Sequence, residues 1–156
     1  MVNYKRLFLK LARKYKAKVK FDKKHNNESC LVRDWNGCEL ISTIHLKDIK
    51  TAGDFAGALH ELAHSVYESE YFLDRIGNKY EYGYGKNICS KFILKLEFNA
   101  WKHATYLYDN WSESMNSEFL KSIKTYIIAW ESHWKTKLDP KFMSRITNLD
   151  NNSFKL

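Results

Sequence analysis

The chain has 156 residues, a formal net charge of +8, 44% hydrophobic residues and a single proline. That length and composition fit one domain with a real core, and no repeat, low-complexity tract or Ser/Gly-rich linker marks an internal boundary. No run approaches the roughly 18 apolar residues of a membrane span, and the charged start, lacking an apolar h-region, does not read as a signal peptide.

The basic excess is confined to the first segment. Residues 1–24 hold ten Lys/Arg against one Asp, whereas the remainder is nearly neutral. Tyr4, Leu7, Phe8, Leu11 and Tyr15 recur at helical spacing, with Lys5, Arg6, Lys10, Arg13, Lys14 and Lys16 on the other face, so a helix is expected over about 3–18. Its apolar side can pack on its own domain. Its basic side can track nucleic-acid phosphates, meet an acidic protein or lie on an anionic membrane. Ala17 to Phe21 reads as a short strand. Ser29 to Trp35 and Cys38 to Leu46 flank Asn36-Gly37, a two-residue hairpin signal, so a small antiparallel sheet is expected. Cys30, Cys38 and Cys89 are odd in number and lack finger-type spacing, which fits free thiols in a reducing cytoplasm; a Cys30–Cys38 pair across the hairpin is the alternative.

The next helix carries the chemistry. Thr51 and Asp54 are spaced as a capping box, and Phe55, Leu59, Leu62, Ala63 and Val66 form a stripe that buries one side of a helix over about 52–72. Within it stands His60-Glu61-Leu62-Ala63-His64. Positions i and i+4 share a helix face, so His60 and His64 can aim at one Zn²⁺, with Glu61 beside them as a non-ligating base that takes a proton from an attacking water. The bland alternative is two helix histidines, one packed and one solvated.

A catalytic zinc site needs a third protein ligand. The longer pattern with a glycine and a third histidine is absent, because those places hold Tyr67 and Glu70. Glu68 lies about 12 Å along the helix from His60, too far to share an ion on a straight helix. The best candidate is Glu97, at the edge of a second helical stripe over about 88–109 marked by Cys89, Phe92, Ile93, Leu96, Ala100 and Leu107. Ala100 and Ala104, one turn apart, allow close approach to the histidine helix. Asp74 and Glu81 are weaker alternatives, and Glu97 could be a solvated flank.

Between these helices, Gly77 to Asn87 places Tyr80, Tyr82 and Tyr84 in alternation with Glu81, Gly83 and Gly85. A tyrosine there could hydrogen-bond an oxyanion; equally, the loop could gate access or pack its rings. A last helix is expected over about 116–136, with Phe119, Leu120, Ile123, Ile127, Trp130 and Trp134 inward, ended by Asp139-Pro140 and followed by a frayed tail over 149–156. His25 and His133 read as ordinary surface residues.

A hairpin, then His-Glu-Leu-x-His on a helix, then Glu97-x-x-Ala100-x-x-x-Ala104 on a second helix resembles the ImmA/IrrE-type zinc metallopeptidases of bacteria and their mobile elements, over roughly residues 28–108. The pentad is specific for zincins; the second motif is short. Asn99-Ala100-Trp101 departs from the family's usual acidic residue followed by Ala-Asn, and the tyrosine-rich insertion is also unusual. The resemblance implies a gluzincin-like set of His60, His64 and Glu97, and cytoplasmic, regulatory cleavage of a specific protein, for instance a DNA-bound repressor. The expectation is therefore one α+β domain over 1–150 of minimal zincin type: N-terminal helix, antiparallel sheet, His-Glu-x-x-His helix, glutamate helix and C-terminal packing helix. Its activity would be zinc-dependent peptide hydrolysis. A zinc-bound domain without hydrolytic activity, or a nucleic-acid-binding module built on the basic helix, are the alternatives.

Overall fold

Asn3 begins the first helix by accepting the Arg6 backbone N–H on its side chain at 2.9 Å, which satisfies one of the orphan donors of a helix start. The computed structural model describes residues 2–22, 30–35, 40–67 and 91–150. Its elements are α1 (Tyr4–Lys14), β1 (Lys18–Phe21), β2 (Cys30–Trp35), β3 (Leu40–Leu46), α2 (Ala52–Tyr67), α3 (Lys91–Leu107), α4 (Glu113–Trp134) and α5 (Pro140–Ile146). The result is a helix-rich mixed architecture in which α2 runs through the middle, touched by α1, β3, α3 and α4.

The apolar side of α1 is covered by its own domain. Phe8 and Ala12 are buried, and Tyr4, Leu7, Leu11 and Tyr15 pack against the same core. The helix ends in a Schellman arrangement: the Ala17 N–H reaches the Ala12 carbonyl and the Lys16 N–H reaches that of Arg13. Lys16 takes the left-handed conformation that this turn requires, at φ 56°, and the chain passes directly into β1. Lys5 then ties α1 down. Its Nζ lies 3.0 Å from Asp48 Oδ1 and 4.2 Å over the centre of the Phe21 ring. The hydrogen bond from Lys5, helped by the Ile49 N–H, holds the Asp48 carboxyl below the usual carboxylate range.

The sheet corrects the expectation of an antiparallel one. Its order is β1-β3-β2, with β1 parallel to β3 and only β2 antiparallel to it. The hairpin reading fits the register, which runs from Trp35 opposite Leu40 to Cys30 opposite His45. The turn itself, Asn36-Gly37, and the Cys38 partner of a disulfide lie outside the described residues. Turn signals report only strands adjacent in sequence. The placing of β1 on the far side of β3 is a long-range choice, driven by burying Ile44 and Leu46 with Val19 and Phe21 packed against the same core.

The capping box at α2 forms as the spacing implies. The Asp54 N–H donates to Thr51 Oγ1 at 3.1 Å, and Asp54 Oδ2 accepts from the Thr51 N–H at 2.9 Å. Thr51→Ala removes the side-chain half and should cost about 1 kcal/mol, lowering the melting temperature by about 2–4 °C; a thermal melt reading no change would show that water replaces the cap fully. Beyond the cap, α2 is buried on more than the single side expected: Phe55, Ala56, Ala58, Leu59, Leu62 and Ala63 are all inaccessible.

Three further expectations change. On α3, Leu96, Ala100 and Leu107 are buried as expected, but Leu94, Phe98, Trp101 and Ala104 widen the buried surface well beyond that stripe. Cys89 and the side chains of Phe92 and Ile93 lie outside the described residues. The last long helix begins at Glu113 rather than about 116, because Ser112 caps it by accepting the Met115 N–H. Its buried row is Met115, Phe119, Ile123, Ile127 and Trp130, while Leu120 and Trp134 are exposed. Finally, Asp139-Pro140 does not merely end a helix. Lys135, in the left-handed conformation, ends α4, and Asp139 caps α5 by accepting the Phe142 N–H at 3.0 Å with Pro140 in the first turn. Pro at that position gives up only an N–H that has no helical partner. Ile146 at its end is fully buried. Residues 151–156 of the expected frayed tail lie outside the described residues.

Candidate metal centre

α2 and α3 pack side by side, with the small Ala100 and Ala104 of α3 buried at 1% and 0% exposure. Across this contact three donor atoms converge. His60 Nε2 lies 3.0 Å from Glu97 Oε2 and 3.0 Å from His64 Nε2, and His64 Nε2 lies 3.4 Å from Glu97 Oε2. Both histidines are buried and Glu97 is partly so. The helical spacing brings the two imidazoles together, their ring centres 4.4 Å apart at 81°. Only the packing of α3 brings the carboxylate.

This triangle fits a cation better than it fits protons. His60 Nε2 makes short contacts to both other atoms, yet a ring nitrogen offers either one proton or one lone pair. If it donates to Glu97, it has no lone pair left for His64. A positive ion between the three atoms satisfies every contact at once. The distances agree: donor atoms of a tetrahedral site with bonds of 2.0–2.1 Å lie about 3.3 Å apart. Among the described residues, His60, His64 and Glu97 form the one group of three or more such side chains able to hold a metal ion.

Burial by itself would raise the Glu97 carboxyl, but the charge of His64 and the hydrogen bonds from His60 and His64 outweigh it and hold the group well below the usual range. Glu97 is therefore ionised, the state in which a carboxylate can act as a ligand.

Glu61 follows His60 on α2 and is buried at 9% exposure. It is not part of the converging group. Tyr67, one turn beyond His64, is 38% exposed and stacks on His103 of α3 at 4.2 Å and 22°. Burial, with a smaller contribution from Tyr15, pushes its phenol upward. His133 is exposed, as expected. His25, Glu68, Asp74 and Glu81, and the tyrosines Tyr80, Tyr82 and Tyr84, lie outside the described residues.

The sequence motifs do not mark Trp101 as part of the site. Its indole is 1% exposed and stacks on the His60 imidazole, centres 4.4 Å apart at 25°. It lies one turn after Glu97, so the i+4 spacing from a candidate ligand was the available signal. Metal-ligating histidines usually donate their second nitrogen to an acceptor, but His60 Nδ1 is buried without one among the described residues. Here ring stacking is the contact that holds the imidazole plane.

The surface hollow of about 400 Å³ at the start of α2, lined by Leu46, Asp48, Thr51, Gly53, Gly57 and Glu118 among others, includes none of the three converging residues. No helix among the described residues is long and apolar enough to cross a membrane. Fold and site together define a mixed α+β domain with a two-histidine, one-glutamate group that could bind a metal ion. No family model, curated protein or solved structure matches the chain.

Proposed function

We propose that this protein is a zinc-dependent metallopeptidase of the minimal zincin type, akin to the ImmA/IrrE-type enzymes, with His60, His64 and Glu97 as ligands and Glu61 as general base. The observation that carries this reading is the convergence of His60 Nε2, His64 Nε2 and Glu97 Oε2 within 4.8 Å of one another. Two imidazoles and one carboxylate are the ligand chemistry of catalytic zinc with a fourth position open. When bound, zinc would polarise a peptide carbonyl and make a nucleophile of water near neutral pH.

The chain's own residues supply the rest. Glu61 takes the proton of the attacking water and hands it to the departing amine, so one carboxylate serves as base and then acid. Glu97 contributes negative charge to the ligand set, and Trp101 holds the His60 ring. Of the two hairpin strands, β2 is at the sheet edge and its backbone approaches α2. It is the strand on which an extended substrate backbone could be added by main-chain hydrogen bonds. A tyrosine among Tyr80, Tyr82 and Tyr84 could hydrogen-bond the oxyanion, with gating or ring packing as the other roles open to that segment. The biological reading is regulatory cleavage of a specific protein in the cytoplasm, for instance a DNA-bound repressor.

Elemental analysis of wild type and Glu97→Ala tests the metal assignment. About one zinc per chain is expected in the wild type, with little or none in the variant after dialysis, while far-UV circular dichroism stays unchanged. Equal zinc in both proteins would remove Glu97 from the ligand set. No zinc in the wild type, even after reconstitution, would make the pentad a coincidence.

A further inference from the structure

We propose that the outer face of α1 and β1 is a docking surface for duplex nucleic acid, held through its phosphate backbone without base readout. Arg6, Lys10, Arg13 and Lys14 on α1 and Lys18 and Lys20 on β1 are all exposed. None of the six forms an ion pair with a described carboxylate. Lys5 is different: it is committed to Asp48 and Phe21, which fixes the platform the others stand on. The first acidic residue of the chain is Asp22, so no carboxylate interrupts the charge along either element.

Geometry makes this a rigid surface rather than a tail. On α1 the cations fall at i, i+4, i+7 and i+8, one face spanning about 12 Å of helix. On β1, Lys18 and Lys20 alternate with the half-buried Val19 and Phe21, placing both on one side of an edge strand, about 6.7 Å apart. The turn that joins the elements is itself fixed by two backbone hydrogen bonds and adds the exposed Lys16.

Competing polyanions fit less well. Membrane attachment by an amphipathic helix needs a free apolar face, and that of α1 is packed into the core. Single strands are held largely by stacking on accessible aromatic rings, yet Tyr4, Phe8, Tyr15 and Phe21 all turn toward the core. What is presented is charge at fixed spacing, which suits the phosphates of a duplex.

The test is fluorescence anisotropy of a labelled 20-bp duplex of arbitrary sequence against the full chain, wild type and Lys10→Glu/Arg13→Glu/Lys14→Glu. If about four phosphates are neutralised, log K falls against log salt with a slope near −3.6, so affinity drops roughly 150-fold between 50 and 200 mM. The triple variant should bind at least about tenfold more weakly, with a slope shallower by up to about 2.7. Lys18→Glu/Lys20→Glu should weaken binding similarly, which covers loss of fold in the triple variant. Chelation of metal should leave duplex affinity unchanged, so this inference and the peptidase reading fail separately. No salt-dependent duplex binding at 50 mM overturns the proposal, as does undiminished binding by the charge-reversed chains. Tighter binding to a single strand, to polyglutamate or to phosphatidylserine vesicles than to the duplex would also overturn it.

Discussion

Glu61→Gln should abolish peptide hydrolysis while leaving the metal in place. The amide keeps the size of the carboxylate and cannot accept the proton of an attacking water, so kcat/KM is expected to fall by about 10²–10⁴. Zinc content should stay near one per chain, because Glu61 is not among the converging atoms, which come from His60, His64 and Glu97. The pairing of the two readouts matters. A variant that loses both activity and zinc has lost the site, whereas one that keeps zinc and loses activity has lost the base. The measurement is cleavage of a fluorogenic peptide library by the zinc-loaded proteins. Equal cleavage by wild type and variant would take Glu61 out of the chemistry. A zinc-loaded wild type that cleaves nothing in the library would favour a metal-bound binding domain instead.

Trp101→Leu should damage stability and metal affinity together. The indole is 1% exposed, contacts Phe119 at 5.9 Å between ring centres and covers the His60 ring at 4.4 Å. Removing a buried Trp costs about 3–5 kcal/mol when it leaves a cavity, and Leu refills part of that volume. A melting point lower by on the order of 10 °C is therefore expected. The imidazole would also lose the surface that fixes its plane, and loss of such supporting contacts typically weakens metal binding by about 10–100-fold. Trp101→Phe keeps an aromatic face over His60 and should recover most of the affinity while remaining less stable than the wild type. A chelator-competition titration of zinc, run beside thermal unfolding, separates the two effects. Leu and Phe variants with equal zinc affinity would reduce Trp101 to a packing residue.

The local chemistry of this chain was legible in its residues one element at a time. Thr51 and Asp54 announced the start of α2 because a capping box is a contact between residues three apart. His60 and His64 announced a shared face because 3.6 residues per turn puts them there whatever surrounds them. The apolar row of α1 and the hairpin pairing of β2 with β3 are of the same kind. Helix termini set by a cap were less legible: Ser112 places the start of α4 at Glu113, and Asp139 with Pro140 begins a helix as well as following one.

What the sequence by itself determined, then, was two of the three residues of the group able to hold a metal ion, the glutamate that follows the first of them and the concentration of charge in residues 1–24. All of these are properties of residue type and short spacing. Tertiary structure decided the rest: that β1 joins β3 in parallel, that α2 is buried on several sides, and that Trp101 lies against His60. It also brought Glu97, 37 positions beyond His60, to 3.0 Å from it. Periodicity could place Glu97 only at the edge of a stripe, because the rotation and depth at which two helices pack depend on every side chain between them. That packing turns a pair of histidines and a distant carboxylate into one group able to hold an ion.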